Sequence, residues 1–280
     1  MSGTVFLAVL LAALLHASWN AIVKGGADKS VGILGVAIGH LPCAALALLI
    51  VPWPDARSLP WVVSGGLIHT GYCLFLASAY RRGDLTHVYP IARGVAPLIV
   101  TLVSIAFLGT VLAAGQLLGI AAIVIGLASL ALGRGRESFD GAATGLALAT
   151  GAFIAAYSLN DGIGARASDG SPLGYYALVS IVNVLTLLPV LNHHDPTVLR
   201  RTLADPGRVL LTGTGSFAAY GIVVWAFTQA PLPLVTALRE TSIVFAVLIG
   251  VLVMKERLNL GTLAATFVTL AGAAAIRLAR

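Results

Sequence analysis

The sequence predicts an all-α membrane protein with ten transmembrane helices in two inverted five-helix repeats. Hydrophobic residues fill 58% of the 280 positions and charged residues only 10%, and the mean hydropathy is +0.96. A soluble domain usually carries roughly 25% charged residues, because water must cover its surface. The chain is also too apolar to stay disordered. Lipid is therefore the expected solvent.

Ten apolar segments are each long enough to cross the membrane as a helix, which takes about 20 residues for a hydrocarbon core of about 30 Å. A membrane barrel is excluded, because its strands are about ten residues of alternating polarity. The first segment is too long for the apolar region of a signal peptide and is predicted to be a retained span. The predicted spans cover residues 4–23, 31–51, 61–80, 86–108, 114–132, 141–159, 173–191, 208–228, 232–253 and 259–278.

The two halves of the chain resemble each other. Residues 85–132 can be laid on 231–278 with a constant offset of 146, which places Arg93 on Arg239. Because five is an odd number of spans, the second half is expected to cross the bilayer in the opposite sense. Inverted repeats of this kind place a binding site near the membrane midplane, and alternating access follows from one half rocking against the other. The predicted repeats are residues 1–136 and 137–280, with the boundary in the polar stretch 133–138.

Charged side chains inside the predicted spans mark the candidate binding site. Of the 17 basic residues only Arg93 and Arg239 are predicted to lie well within a span, and of the 11 acidic residues only Glu240. A charge at the bilayer centre costs about 2.5–3.5 kcal/mol on insertion scales, so such residues normally face a water-filled cavity or a partner. The alternative is a buried ion pair that only holds the bundle together. Arg239 and Glu240 are adjacent and point about 100° apart, which hinders pairing between them.

Aromatic, histidine and amide side chains near these charges are further candidates. Tyr89 lies one turn before Arg93, and in the first span His16 and Trp19 precede Asn20. Each also has an ordinary structural explanation. Tyrosine and tryptophan form belts at the membrane interface, and histidine or asparagine often joins helices through hydrogen bonds.

Glycines and prolines predict how the helices pack and bend. Glycine pairs four residues apart form faces on which helices approach closely. Pro90 and Pro97 are expected to bend the fourth span, whereas Pro231 and Pro233 open the ninth, where proline is tolerated. The two halves are therefore expected to be unequally kinked. The glycine pairs are Gly35 with Gly39, Gly115 with Gly119, and Gly141 with Gly145.

Several short motifs resemble those of EamA-type proteins in the drug/metabolite transporter superfamily. The resemblance implies a ten-helix secondary carrier for a small metabolite, with a central cavity between the halves. Thr110 stands where the family usually has Glu after Leu-Gly, while Glu256 keeps it in the second half, so a role that needs both acids is not expected. The motifs are Leu14-Leu15-His16-Ala17-Ser18-Trp19-Asn20-Ala21, Ala79-Tyr80 with Arg81, Pro90, Pro97, Phe107-Leu108-Gly109, and Lys255-Glu256-Arg257-Leu258.

The positions of the two arginines predict the class of substrate. Each lies seven residues from the start of its span, about 10 Å into the membrane. In inverted halves they would enter from opposite faces and lie about 10 Å apart along the membrane normal. A guanidinium binds carboxylate, phosphate or phosphonate in a bidentate way, so the predicted substrate is a small anionic or zwitterionic metabolite such as an amino acid or organophosphonate. Glu240 is available to an ammonium group, and for proton-linked transport it is the leading titrating residue, with His16 second.

The sequence disfavours two other function classes. A membrane-embedded enzyme is disfavoured, because His193-His194-Asp195 looks like a solvated loop and Gly213-Thr214-Gly215-Ser216 does not satisfy the GxSxG pattern. A cationic-drug exporter is disfavoured, because the first span lacks an acidic residue. No cofactor, metal or nucleic-acid partner is predicted. The expected partners are the substrate and the lipid bilayer, and the chain is expected to be a monomer or homodimer.

Basic residues predict the orientation in the membrane. The odd-numbered loops hold eleven of them, and the even-numbered loops and the C-terminus hold four. This asymmetry favours odd loops in the cytoplasm and both termini outside. Eukaryotic relatives of the family are usually drawn with cytoplasmic termini, so the two indications conflict. Arginine exceeds lysine 14 to 3, which fits a GC-rich bacterial genome and an inner-membrane location.

Overall fold

The structure is a computed structural model that describes residues 1–24, 28–82, 85–132, 140–253, 255 and 260–279. Within these ranges every regular element is helical. The predicted polar boundary at 133–138 and the acid at Glu256 lie outside the described residues. The helices are α1 (Gly3–Lys24), α2 (Lys29–Ile50), α3 (Leu59–Arg82), α4 (Leu85–Phe107), α5 (Ala114–Leu132), α6 (Gly141–Ala167), α7 (Pro172–His194), α8 (Val198–Thr202), α9 (Pro206–Gln229), α10 (Leu232–Arg239), α11 (Ser242–Leu252) and α12 (Leu260–Leu278), with a 3₁₀ turn at Ala56–Ser58.

The helices follow the predicted order of spans. In the described part of the chain, nine helical segments are long and apolar enough to cross a membrane, counting α10 and α11 as one. The predicted fifth span, in α5, is a shorter apolar helix. The longest predicted loop contains the short helix α8. The inversion of the second half relative to the first stays a prediction.

The ninth span is interrupted at Glu240 and Thr241, between α10 and α11. The amide of Glu240 donates to Ala237 O at 3.0 Å and that of Thr241 to Leu238 O at 3.0 Å. These bonds span three residues rather than four, as in a 3₁₀ helix, and such a step inside a longer helix often marks a functional hinge.

The fourth span, by contrast, is one helix from Leu85 to Phe107 with Pro90 and Pro97 inside it. The bend predicted at these prolines stays a prediction. The interruption of the ninth span at Glu240 and Thr241 was not predicted.

Helix α6 is longer than the sequence predicted. The span was expected to end at residue 159, but the helix continues to Ala167. Its extra turns carry Asp161, whose side chain is fully buried. The prediction that Glu240 is the only acid inside a span is therefore wrong.

Close helix contacts confirm two of the three predicted glycine faces. A Cβ added at Gly213 on α9 would lie 2.3 Å from the Cα of Gly39 on α2. A Cβ added at Gly272 on α12 would lie 2.6 Å from the carbonyl oxygen of Gly119 on α5. At Gly141 and Gly145 an added Cβ would meet nothing within 4 Å, so the third predicted face is wrong; both glycines lie on the exposed side of α6.

The two halves interleave instead of forming separate bodies. Helix α6 packs between α3 and α4 of the first half, and α1 packs against α9 and α11 of the second. Contacts of α2 with α9 are matched by contacts of α7 with α3. The first helix of each half thus packs on the other half, and the space between them lies at the centre of the bundle.

Candidate functional site

A cavity of about 110 Å³ lies between the halves, with walls from α1, α2, α3, α4, α6, α7, α9 and α10. A second cavity of about 120 Å³ shares part of this wall and extends to the helix ends at Asp28 and Lys29. A water molecule needs roughly 10–15 Å³ of such space, so a small metabolite has room. Six of the seven predicted site residues line the two cavities: His16, Trp19, Asn20, Tyr89, Arg93 and Arg239.

The seventh predicted residue, Glu240, is engaged in an ion pair. Arg93 Nε lies 2.6 Å from Glu240 Oε2, and Arg93 Nη2 donates to Ser242 Oγ at 3.1 Å. Arg93 is 4% exposed and Glu240 1%. The pair joins α4 to the interrupted ninth span. It matches the alternative of a buried ion pair for these two residues, and it occupies the carboxylate that the sequence offered to an ammonium group.

Arg239 is less completely neutralised than Arg93. Its Nη2 donates to the hydroxyl of Tyr157 at 3.2 Å, and its guanidinium carbon lies 5.6 Å from the Tyr157 ring centre and 5.5 Å from that of Tyr220. Its Nε is 3.9 Å from Glu240 Oε1, and both atoms are buried without a hydrogen-bond partner. An unsatisfied buried polar group costs about 1–3 kcal/mol, which a bound ligand or water would recover.

The predicted separation of about 10 Å between the two arginines along the membrane normal stays a prediction. The side chains of Arg93 and Arg239 both approach the carboxylate of Glu240.

The remaining predicted residues form the cavity wall beside Arg93. The ring of Tyr89 lies 5.6 Å from the Arg93 guanidinium carbon, a distance at which a cation and an aromatic face attract each other. His16 and Trp19 meet edge to face with ring centres 5.1 Å apart. Asn20 donates to His16 O at 2.8 Å within its own helix. The buried Nε1 of Trp19 has no hydrogen-bond partner.

Sequence reasoning missed a second buried charge cluster centred on Asp161. Its Oδ2 lies 2.8 Å from His69 Nε2 and accepts from Tyr220 OH at 2.9 Å. Its Oδ1 accepts from Tyr175 OH at 3.0 Å and from Asn160 Nδ2 at 3.3 Å. The polar run Ser158-Leu159-Asn160-Asp161 looked like the end of a span. Only a prediction that extended this helix beyond residue 159 would have placed Asp161 in the core.

A network of ion pairs lies beside the second cavity, near the end of α1 and the start of α2. Arg201 Nη1 donates to Asp28 Oδ2 at 2.5 Å, and Arg201 also pairs with Asp195. Partial burial raises the pKa of the Asp28 carboxyl, but hydrogen bonds from Arg201 and from two backbone amides outweigh it, so this pKa lies below its usual value. Arg208 Nη2 donates to the carbonyl of Ile22 at 2.9 Å. The second half therefore holds the ends of α1 and α2.

Comparisons with known proteins identify this arrangement. The fold is a polytopic helical bundle with charged residues around a central cavity, as in a membrane transporter. Residues 143–278, in the second half of the chain, match the EamA-like transporter family, which is part of the drug/metabolite transporter superfamily.

The likeness extends to solved structures. One, titled "Crystal structure of protein", is 19% identical and aligns over 99% of this chain and 99% of its own with a TM-score of 0.74. This likeness concerns the fold alone. No curated protein matches the chain.

Proposed function

We propose that this protein is a secondary transporter that moves a small anionic or zwitterionic metabolite through the central cavity by alternating access. The single observation that carries the proposal is Arg239. Its guanidinium lines the cavity, is 3% exposed, and keeps a buried Nε without a hydrogen-bond partner. A planar guanidinium in this state suits a carboxylate, phosphate or phosphonate, the groups of an amino acid or organophosphonate.

The charges around Glu240 favour an anionic group. Arg93 and Arg239 supply two positive charges and Glu240 one negative charge, a net charge of +1 around one carboxylate. Attraction between opposite charges is several times stronger in the interior than in water. A substrate anion is therefore expected beside Arg239, which lies farther than Arg93 from the Glu240 carboxylate.

Alternating access is supported by the architecture. Each half packs its first helix on the other half, so rocking of one half would change both faces of the cavity. The interruption at Glu240 and Thr241 gives the ninth span a hinge at the substrate site. Inverted repeats are the arrangement in which such motion carries a site from one face to the other. We place the protein in a bacterial inner membrane as a monomer or homodimer, with transport linked to protons.

A binding and counterflow experiment tests this function. Aminomethylphosphonate and L-aspartate, both net anionic, are the probes for thermal stabilisation of detergent-purified protein and for counterflow in proteoliposomes. Arg239→Ala is expected to abolish both responses and to remain folded, since its main partners are a hydroxyl and two aromatic rings. Arg239→Lys is expected to retain weak binding, because an ammonium cannot bind in a bidentate way.

Arg166→Gln is the matched control. Arg166 also lies in a membrane helix, but it donates to the carbonyls of Phe227 and Ala230 and is not among the residues that line the cavities. This variant is expected to bind and transport the probes. Normal transport by Arg239→Ala would refute the assignment of the anion site.

A further inference from the structure

We propose that His69, held by Asp161, binds the proton that is coupled to movement of the substrate anion; this inference rests on the proposed transport function. The sequence favoured Glu240 and then His16 for this role. Protonation of Glu240 would break its ion pair with Arg93 and leave two buried arginines without a counter-charge. The His69–Asp161 pair can accept a proton without that loss.

Both carboxylate oxygens of Asp161 accept hydrogen bonds. It is fully buried and accepts hydrogen bonds from two tyrosine hydroxyls and from the Asn160 amide. An ionised carboxylate is an acceptor only, so Nε2 of His69 must carry the proton in their 2.8 Å contact. The other ring nitrogen, Nδ1, is then free to act as a base. A neighbouring carboxylate orients an imidazole in this way and stabilises the imidazolium.

His69 lies between Asp161 and the cavity, where protons can reach it. Its side chain is 15% exposed, and it lines the central cavity while Asp161 does not. Water in the cavity can therefore deliver a proton to the ring. Asp161 stays behind the ring as the fixed counter-charge.

Two tyrosines connect this pair to Arg239. The ring of His69 stacks on that of Tyr157 with centres 4.4 Å apart and planes 17° apart, and the Tyr157 hydroxyl accepts from Arg239. Tyr220 donates to Asp161, and its ring lies beside the Arg239 guanidinium. Each tyrosine thus touches both the proposed proton site and the proposed anion site.

The buried charges predict that binding of the proton and binding of the anion favour each other. With His69 neutral, the positive charges of Arg93 and Arg239 are balanced by the negative charges of Glu240 and Asp161. A proton on His69 gives the group a net charge of +1, and a bound monoanion restores neutrality. Each ligand therefore raises the affinity for the other, and by linkage the two factors are equal. The expected transport mode is symport of a proton with the anion.

Other titratable groups around His69 are poorly suited to the role. Phenols titrate near pH 10, and arginine stays charged, which leaves the imidazoles of His40 and His16. His40 packs edge-on against Tyr176 and Phe217, and neither histidine has a carboxylate partner among the described contacts. Titratable or charged groups that line this cavity or contact Asp161 are His16 on α1, His40 on α2, Tyr72 and Cys73 on α3, Arg93 on α4, Tyr157 on α6, Tyr175 and Tyr176 on α7, Tyr220 on α9, and Arg239 on α10.

The test measures how the affinity for aminomethylphosphonate and L-aspartate depends on pH. For one linked proton, Kd of the wild-type protein rises about tenfold per pH unit above the titration range of the site. His69→Gln is expected to remove this slope and to abolish uptake driven by a pH gradient, while exchange of labelled for unlabelled probe persists. His16→Gln and His40→Gln are expected to keep the slope. The exposed His193, changed to Gln, is the control.

A second measurement needs no variant. Calorimetric titration of the wild-type protein in buffers of different ionisation enthalpy counts the protons taken up with the probe, and about one proton per ligand is expected on the alkaline side. Zero uptake, or an unchanged slope in His69→Gln, would overturn the proton site alone. Failure of both probes to bind in an Arg239-dependent manner would instead overturn the proposed function, and the proton site with it.

Discussion

Arg93 and Arg239 differ in how far their charges are compensated. Arg93 forms an ion pair with Glu240 at 2.6 Å and a hydrogen bond to Ser242. Arg239 faces the same carboxylate at 3.9 Å and relies on a hydroxyl and two aromatic rings. Arg93 therefore has the larger structural role, and Arg239 the larger capacity to bind an anion. Their matching positions in the two halves of the sequence do not reveal this difference.

The variant Glu240→Gln is expected to destabilise the protein. Removing this charge leaves two buried arginines facing a neutral amide, and breaking a buried pair typically costs about 3–5 kcal/mol. The melting temperature of the detergent-purified variant is expected to fall clearly below that of the wild type. The double variant Arg93→Met/Glu240→Gln is expected to recover much of the loss, because a pair replaced by groups of similar size leaves fewer buried charges. A melting temperature unchanged in the single variant would contradict this assignment.

Helix elements meet at small residues where the backbone itself is the contact surface. Between α2 and α9, Gly39 and Gly213 approach so closely that either Cβ would overlap the opposite backbone. This contact joins one helix from each half. It therefore fixes how the halves sit around the cavity.

Two Gly→Ala variants test the close contact between α2 and α9. Gly213→Ala would place a Cβ 2.3 Å from the Cα of Gly39, so α9 must move away and the melting temperature is expected to fall. Gly145→Ala, where nothing lies within 4 Å, is the matched control. It is expected to be neutral or stabilising by up to about 1 kcal/mol, because alanine favours the helix. Equal effects of the two variants would argue against the close helix contact.

At the scale of the whole molecule, the cavities reach one face of the bundle. The second cavity ends beside Asp28 and Lys29, at the face that also carries the Arg201 network. Basic residues concentrate at this face, and the positive-inside rule predicts that it lies in the cytoplasm. We therefore expect the conformation described here to be open to the cytoplasm. Described basic residues at this face include Lys29, Arg81, Arg82, Arg200, Arg201 and Arg208.

Labelling of the native Cys73 tests to which side of the membrane the cavities open, because this residue lines both cavities. In a Cys43→Ser background, a small membrane-impermeant thiol reagent is expected to label Cys73 from the cytoplasmic face of inside-out vesicles. Bound aminomethylphosphonate is expected to slow the labelling, and Cys73→Ala to abolish it. Labelling only in right-side-out vesicles would reverse the predicted orientation.

Hydropathy along the chain indicates the class of the protein and the order of its helices. Hydropathy over about 20 residues is a local property that lipid enforces, so the spans and most of the cavity-lining candidates could be predicted. The ends of the helices could not be predicted as well, because a helix end also depends on contacts with other parts of the chain. Asp161 lies inside α6, where Tyr175 and Tyr220 donate to its carboxylate and His69 Nε2 lies 2.8 Å from Oδ2.

Which charged and polar groups meet depends on how the helices pack. Arg93 and Glu240 lie in different halves of the chain, and nothing local in either segment indicates their ion pair. The same holds for His69 and Asp161, which are joined across α3 and α6. A buried charge needs a partner wherever the fold can bring one. The sequence reveals that need, but the packing of the helices selects the partner.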